Sequence, residues 1–162
     1  MRAAAYDPVR RLYRALLVFD AIAILILAVG LAEFVYFEPF GKSTGLKATI
    51  VGVYQYDPTT NKALGPDRRT FTRDQQFAAV VDWSSLPQNI TVDSRWYDGF
   101  GAVVGRVGPG TPAQLAGTTT VPVVHAGLKF NLPGQYIFVV ERLDGGVPVE
   151  VLARRIVIVD RS

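Results

Sequence analysis

The glycines of Gly99-Phe100-Gly101-Ala102-Val103-Val104-Gly105 are spaced almost as in a loop that cradles phosphates. Such a loop needs G-x-G-x-x-G where a strand meets a helix, so that backbone N–H groups and the helix N-terminus face a pyrophosphate. Here the third glycine falls one place late and β-forming residues stand on both sides, which reads as a turn between strands. Asp57-Pro58-Thr59-Thr60-Asn61 offers oxygen ligands but lacks the Asp-x-Asp-x-Asp-Gly run and the closing Glu of a calcium loop. Asn89-Ile90-Thr91 fits an N-glycosylation acceptor, with nothing else pointing to a glycosylating host. The chain has one His, one Met and no Cys. A blue-copper site with its His, Cys and Met ligands cannot be assembled from it, and thiol catalysis, thiolate metal sites and disulfide staples are excluded. The lone His125, between Val124 and Ala126, reads as a packed or solvated residue, since a hydrolytic triad needs it at the centre of a constellation that the sequence does not supply. These residues predict a protein that is not an enzyme, with no cofactor and no metal.

The elements that would position any site begin with a long apolar run. Residues 15–32 are eighteen in number with one charge, Asp20, and as a helix rising ~1.5 Å per residue they reach roughly 27 Å, near the thickness of a bilayer core. Arg10, Arg11 and Arg14 ahead of the run, with Gly30-Leu31-Ala32 behind it, also resemble a cleavable signal. The run exceeds the ~7–15 residues of a signal core and continues into Phe34, Tyr36, Phe37 and Phe40, an aromatic set suited to a membrane interface. A retained anchor is therefore expected. It divides the chain into a cytoplasmic segment 1–14, a transmembrane helix 15–37, a linker 38–45 and an outer domain 46–162. Four arginines precede the span and Glu33 and Glu38 follow it, so the N-terminus is expected in the cytoplasm of a bacterium, with the helix in the inner membrane and the C-terminal domain in the periplasm.

Within the span the costly residue is Asp20. It either reaches back to the cytoplasmic interface or to Arg14, or it meets a polar group on a second helix. Ala21, Ala28 and Ala32 fall on one stripe at 100° per residue, and Ala28-x-x-x-Ala32 is a small-x-x-x-small pair, so Asp20, Ala21, Ala28 and Ala32 are the expected helix contact.

After the span the pattern changes to short stretches rich in Val, Ile, Thr, Tyr and Phe between Gly, Pro, Asn and Asp. This predicts strands near 46–54, 77–83, 90–97, 102–107, 118–124, 128–132, 135–143 and 149–160, with no helix among them. Ile90, Val92, Ser94 and Trp96 alternate with Thr91, Asp93, Arg95 and Tyr97 as in a strand wet on one face. An antiparallel β-sandwich follows. The basic excess of residues 39–162, thirteen Lys and Arg against ten Asp and Glu, is too diffuse to imply nucleic acid.

Residues 71–160, carrying "FAAVVDWSSLPQNITVDSRWYDGFGAVV" and then "LKFNLPGQYIFVVERLDGGVPVEV", resemble small bacterial extracytoplasmic immunoglobulin-like domains. In these a strand ending in Trp96-Tyr97 precedes a glycine turn, and Pro133-Gly134-x-Tyr136 opens a penultimate strand. The resemblance implies structural roles for Trp96, Pro133, Gly134 and Tyr136, the last as a corner tyrosine with its ring in the core and its hydroxyl on backbone. It departs from antibody-type domains in lacking a cysteine pair. In the last hairpin Tyr136, Phe138 and Val140 make one face, while Ile137 and Val139 make the other face apolar too. Either loops cover that second face, or it is a protein interface. These features together predict a non-catalytic accessory or assembly subunit, docked through helix and sandwich onto integral membrane protein subunits of a larger complex, respiratory, photosynthetic or secretory, with an energy-converting one favoured. The alternative is a stand-alone membrane-anchored module that binds a soluble ligand, a protein or a cell-wall polymer.

Overall fold

The computed structural model describes residues 8–36 and 43–161, with helix side chains described at 13 and 15–30. The chain divides into two units, Met1–Glu38 and Pro39–Ser162. The first is a single helix, α1 (Pro8–Tyr36). Proline suits its first turn, where no N–H is needed and φ is already helical. Beyond it, Leu, Ala and Ile carry the propensity, and every side chain described between 15 and 30 is exposed. Large apolar groups point in all directions around the axis, from Leu16 and Phe19 to Ile26 and Val29. Among the described residues no helix is long and apolar enough to cross a membrane.

The second unit contains β1 (Thr49–Asp57), β2 (Lys62–Leu64), β3 (Thr70–Phe71), β4 (Phe77–Asp82), β5 (Thr91–Tyr97), β6 (Val103–Gly110), a one-turn helix α2 (Pro112–Leu115), β7 (Thr118–Pro122), β8 (Gly134–Asp144) and β9 (Val147–Val159). One sheet has the order β2-β1-β4-β7 and the other β3-β9-β8-β5-β6, antiparallel throughout except where β3 runs parallel to the end of β9. The two apolar faces close on each other as a β-sandwich. Its core holds Trp83, Trp96, Tyr136, Phe71, Phe77 and Phe138, all fully buried. Phe71 stacks on Phe77 at 4.7 Å, and Trp96 lies 4.9 Å from Phe138. Burying aromatics of this size dominates the energetics of a domain that has no disulfide.

One corner of the sandwich is closed by contacts between the two sheets. Trp96 Nε1 donates to the Val121 carbonyl at 2.9 Å, and Val124 N donates to the Val104 carbonyl at 2.6 Å. Gly105 permits this approach: a Cβ there would stand 2.2 Å from the Pro122 carbonyl oxygen, so only hydrogen fits. The chain enters at the far end of the sandwich, where Glu150 accepts from Thr44 N at 2.6 Å, Thr44 Oγ1 at 2.7 Å and Arg142 Nε at 3.0 Å. Burial pushes this carboxyl up, but the hydrogen bonds from Thr44, Arg142 and Ser43 outweigh it and hold it below the usual range.

The expected strands recur with shifted ends, except for 128–132, which is turn and irregular chain. That segment is rich in apolar residues, but Asn131 spends its backbone on another loop, its N–H reaching the Arg73 carbonyl at 2.8 Å. The short β2 and β3 and the single turn α2, capped by Thr111 and Gln114, carry too few residues to show a period.

Burial also corrects the expectation of an apolar patch at Ile137 and Val139. Val139 is fully buried and Ile137 nearly so. Their direct cross-strand neighbours explain the covering: Arg95 and Arg154 flank Val139, and Tyr97 and Ile156 flank Ile137. Long side chains can lay their stems along apolar neighbours, and the Arg95 head is itself drawn down onto buried Asp93, so Ile137 and Val139 lie beneath the sheet's own side chains.

Candidate functional site

Strand directions collect four connections at one end of the sandwich, opposite to the chain entry. β1 ends there at Asp57, β4 begins there with Phe77 opposite Gln55, and β7 ends there with Pro122 opposite Ala78. β5 reaches the same end with Tyr97 opposite Ile137 near the start of β8. The β1–β2 turn, the 72–76 loop, the 98–102 turn and the long 123–133 loop therefore share it.

Between these loops lies an open cleft of about 240 Å³. One side is Tyr56, Pro58 and Gln76; the other is supplied wholly by the 123–133 loop, from Val123 to Asn131. Val124, Leu128 and Phe130 keep large exposed areas, 63%, 44% and 46% of each residue. At the tip of the neighbouring turn Phe100 is 83% exposed. Exposed apolar groups gathered around a concavity have the anatomy of a contact surface.

The loop is held in shape by buried polar contacts. Asn131 Nδ2 donates to the Gln75 carbonyl at 2.7 Å, and Arg73 Nε returns a bond to the Asn131 carbonyl at 3.4 Å. The Arg73 guanidinium lies 4.6 Å above the Phe130 ring, a cation–π contact that fixes the ring's outward pose. Tyr136 secures the other side: its hydroxyl donates to the Leu132 carbonyl at 2.9 Å and meets His125 Nε2 at 2.8 Å. A phenol has one proton to give, so in neutral His125 the hydrogen sits on Nε2 and Nδ1 remains an acceptor. Burial lowers the His125 pKa against the opposing pull of Asp98, and burial pushes the Tyr136 hydroxyl up to about 12. Both are neutral near pH 7. Asp98 itself accepts from the N–H groups of Phe100 and Ala102, each at 2.9 Å, and so builds the turn.

A second polar cluster lies on the outer face of the five-stranded sheet. Asp93, fully buried, accepts from Arg95 Nε at 2.7 Å and is paired with Arg106 Nη2 at 2.8 Å. Glu141 stands directly across from it. Burial raises the Glu141 carboxyl above the ordinary range, Arg95 opposing. Two buried carboxylates are here packed against two arginines, with Arg95 and Arg106 both directed onto Asp93.

Of the residues singled out in the sequence, Trp96 is the inter-sheet link, and Pro133 and Gly134 lead into β8, with Gly134 at a φ of 138°. Tyr136 is the buried tie just described. Ile137 and Val139 are covered. Asp20, Ala21 and Ala28 are exposed on α1, and the side chain of Ala32 lies outside the described residues. Composition did not single out Arg73, Leu128, Lys129 or Phe130. The signal available was the bracket of Gly127 and Pro133 around 128–132, which marks a loop more strongly than its Leu and Phe mark a strand. Comparison of the chain with known protein families and with curated proteins finds no match.

Proposed function

We propose that this protein is a non-catalytic docking subunit: a single-pass membrane helix carrying an immunoglobulin-like β-sandwich, held in a larger membrane assembly. The observation that supports it most is α1. Apart from Asp20 its described stretch carries apolar side chains on every side, and such a helix finds a stable place in lipid or against other protein. The sequence run 15–32 extends the described stretch to the length of a span. In this reading Asp20, Ala21, Ala28 and Ala32 face a partner helix, and the N-terminus is cytoplasmic with the sandwich in the periplasm of a bacterium. Ile137 and Val139 give up the role of outer interface to the loop end, where Leu128, Phe130 and Phe100 are exposed. An energy-converting complex, respiratory or photosynthetic, is the host favoured, since such complexes take up cofactor-free single-helix subunits. The cleft favours a second reading, a stand-alone membrane-anchored module whose sandwich holds a soluble ligand, a protein or a cell-wall polymer.

Extraction of membranes in a mild detergent, followed by sizing of the particle that carries this chain, tests the proposal. Migration with a large assembly, weakened by Ala28→Leu with Ala32→Leu, is the expected result. A chain that washes off membranes at alkaline pH, or one that always migrates alone, refutes it.

A further inference from the structure

The acidic side chains at the loop end are engaged within their own turns. Asp57 accepts from Thr59 N at 2.9 Å and Thr60 Oγ1 at 2.8 Å, and Asp74 is bonded by Thr72 Oγ1. Asp98 is buried beneath its turn. The cations are differently placed. Lys129 is the one ionised side chain lining the cleft, and Arg73 stands over Phe130 at its rim. Neither makes an ion pair among the described residues. Arg73 uses Nε on the Asn131 carbonyl, and among the described residues the outer edge of its guanidinium has no ion-pair partner. The cleft therefore offers a contact partner apolar walls, one lining cation and one at the rim that make no ion pair among the described residues, and no carboxylate among its lining residues. Asp57 and Asp74 keep their charge but are held within their own turns outside it.

We propose that this cleft receives an extended protein segment in which a large apolar side chain is flanked by carboxylates. The volume bears on the choice of a polypeptide over a small molecule. At about 240 Å³ the cleft is smaller than the ~300–1,000 Å³ typical of small-molecule sites, yet it suits one anchoring side chain of a protein. Exposed apolar surface is also present outside it, at Phe100 of the neighbouring turn, as a polypeptide can use and a compact ligand cannot. Lys129 and Arg73 supply the anion contacts, and an arginine held over an aromatic ring presents its edge for a bidentate carboxylate. The inference rests on the docking reading and names the chemistry of the partner at that surface.

Three acetylated, dye-labelled pentapeptides provide the probes: Glu-Leu-Glu-Phe-Glu, Gln-Leu-Gln-Phe-Gln and Lys-Leu-Lys-Phe-Lys, titrated by anisotropy against the full chain in mild detergent, with empty micelles as control. The acidic peptide is expected to bind about tenfold more tightly than the basic one, a preference that shrinks with added salt. Lys129→Glu, at a residue with no structural hydrogen bond, should abolish or invert the order; Phe130→Ser should weaken the acidic and neutral peptides alike. Equal affinities for the three peptides, or a charge preference that Lys129→Glu leaves untouched, overturn the inference. Sizing of the same detergent extracts separates it from the parent reading. Charge discrimination in a chain that migrates alone supports the cleft and removes the accessory subunit. Migration with a large particle, without discrimination among the peptides, keeps the subunit and removes the acidic partner.

Discussion

Substitution of the two neighbouring buried carboxylates on the outer face should move stability in opposite directions. Asp93 and Glu141 are direct partners across β5 and β8 and are equally hidden from solvent. Their partners differ. Arg95 Nε reaches Asp93 at 2.7 Å, and Arg106 Nε reaches it at 3.0 and 3.1 Å. Glu141 has its nearest cation, Arg95 Nη1, at 3.8 Å, and its Oε2 has no hydrogen-bond partner. Asp93→Asn removes the charge on which two guanidiniums converge. Breaking a buried pair costs about 3–5 kcal/mol, but these arginines keep 20% and 44% exposure and can rehydrate, so a loss of about 2 kcal/mol is expected. Glu141→Gln keeps the shape and removes an ill-paired charge. An unsatisfied buried acceptor costs about 1–3 kcal/mol, and part of that is returned when the long contact to Arg95 goes, so a net gain of about 1 kcal/mol is expected.

The pH dependence gives an independent check. Glu141 is raised above its ordinary value of 4.5, chiefly by burial. A raised carboxyl contributes its stability fully below the unfolded value and loses it as pH climbs through the folded value. The advantage of Glu141→Gln should thus be small at pH 4.5 and grow toward neutrality. Both tryptophans, Trp83 and Trp96, are buried in the sandwich, so urea unfolding of the full chain read by tryptophan fluorescence reports this domain alone. A Glu141→Gln variant as damaged as Asp93→Asn, or one whose effect is flat across pH, would falsify the argument that partnering decides between these two carboxylates.

Three further outcomes can be measured with the same signal. Gly105→Ala places a methyl group against the Pro122 carbonyl, with backbone on both sides of the conflict, and should destabilise the sandwich by about 3 kcal/mol, near the top of the overpacking range. Tyr136→Phe removes the bonds to Leu132 and His125 and should cost about 1 kcal/mol; with proteolysis as a second readout, cleavage in the 123–133 loop should rise more than elsewhere. Glu150→Gln weakens the clamp on Ser43 and Thr44 and should expose the entry segment to protease. In the wild type that clamp should fail only in acid, since a lowered carboxyl keeps its contribution above the unfolded value and loses it as pH falls through the folded one.

The two-layer β architecture was legible because its signals are local. Pro133-Gly134 and Asp144-Gly145-Gly146 mark the ends of β8, and the alternation through Thr91–Tyr97 places Trp96 inward. The segment 128–132 misleads for the converse reason. Leu128 and Phe130 have strand-forming side chains, but whether a segment joins a ladder depends on where its backbone donors go, and Asn131 gives its N–H to Arg73 across 58 residues of sequence.

The patch expected at Ile137 and Val139 is buried for a reason that lies in the strand register. In an alternating pattern Arg95 and Arg154 count as water-facing residues, and apolar neighbours on their face then look like an exposed patch. Register decides otherwise. Once β5 and β9 are set on either side of β8, Arg95 and Arg154 fall directly opposite Val139, where long side chains have methylene stems to lay over an apolar neighbour. Asp93 then receives the heads of Arg95 and Arg106, so the charges that mark this face as wet in the sequence are the ones that seal it. Part of the exposed apolar surface, at Phe100, Val124, Leu128 and Phe130, lies on loops, where side-chain periodicity carries no information. There Phe130 is held outward by Arg73 and the whole segment by Asn131 and Tyr136. A loop tied by two part-buried hydrogen bonds and a cation–π contact while its apolar side chains stay in solvent has had much of its ordering entropy met in advance, which is the preorganisation that the proposed contact role would draw on.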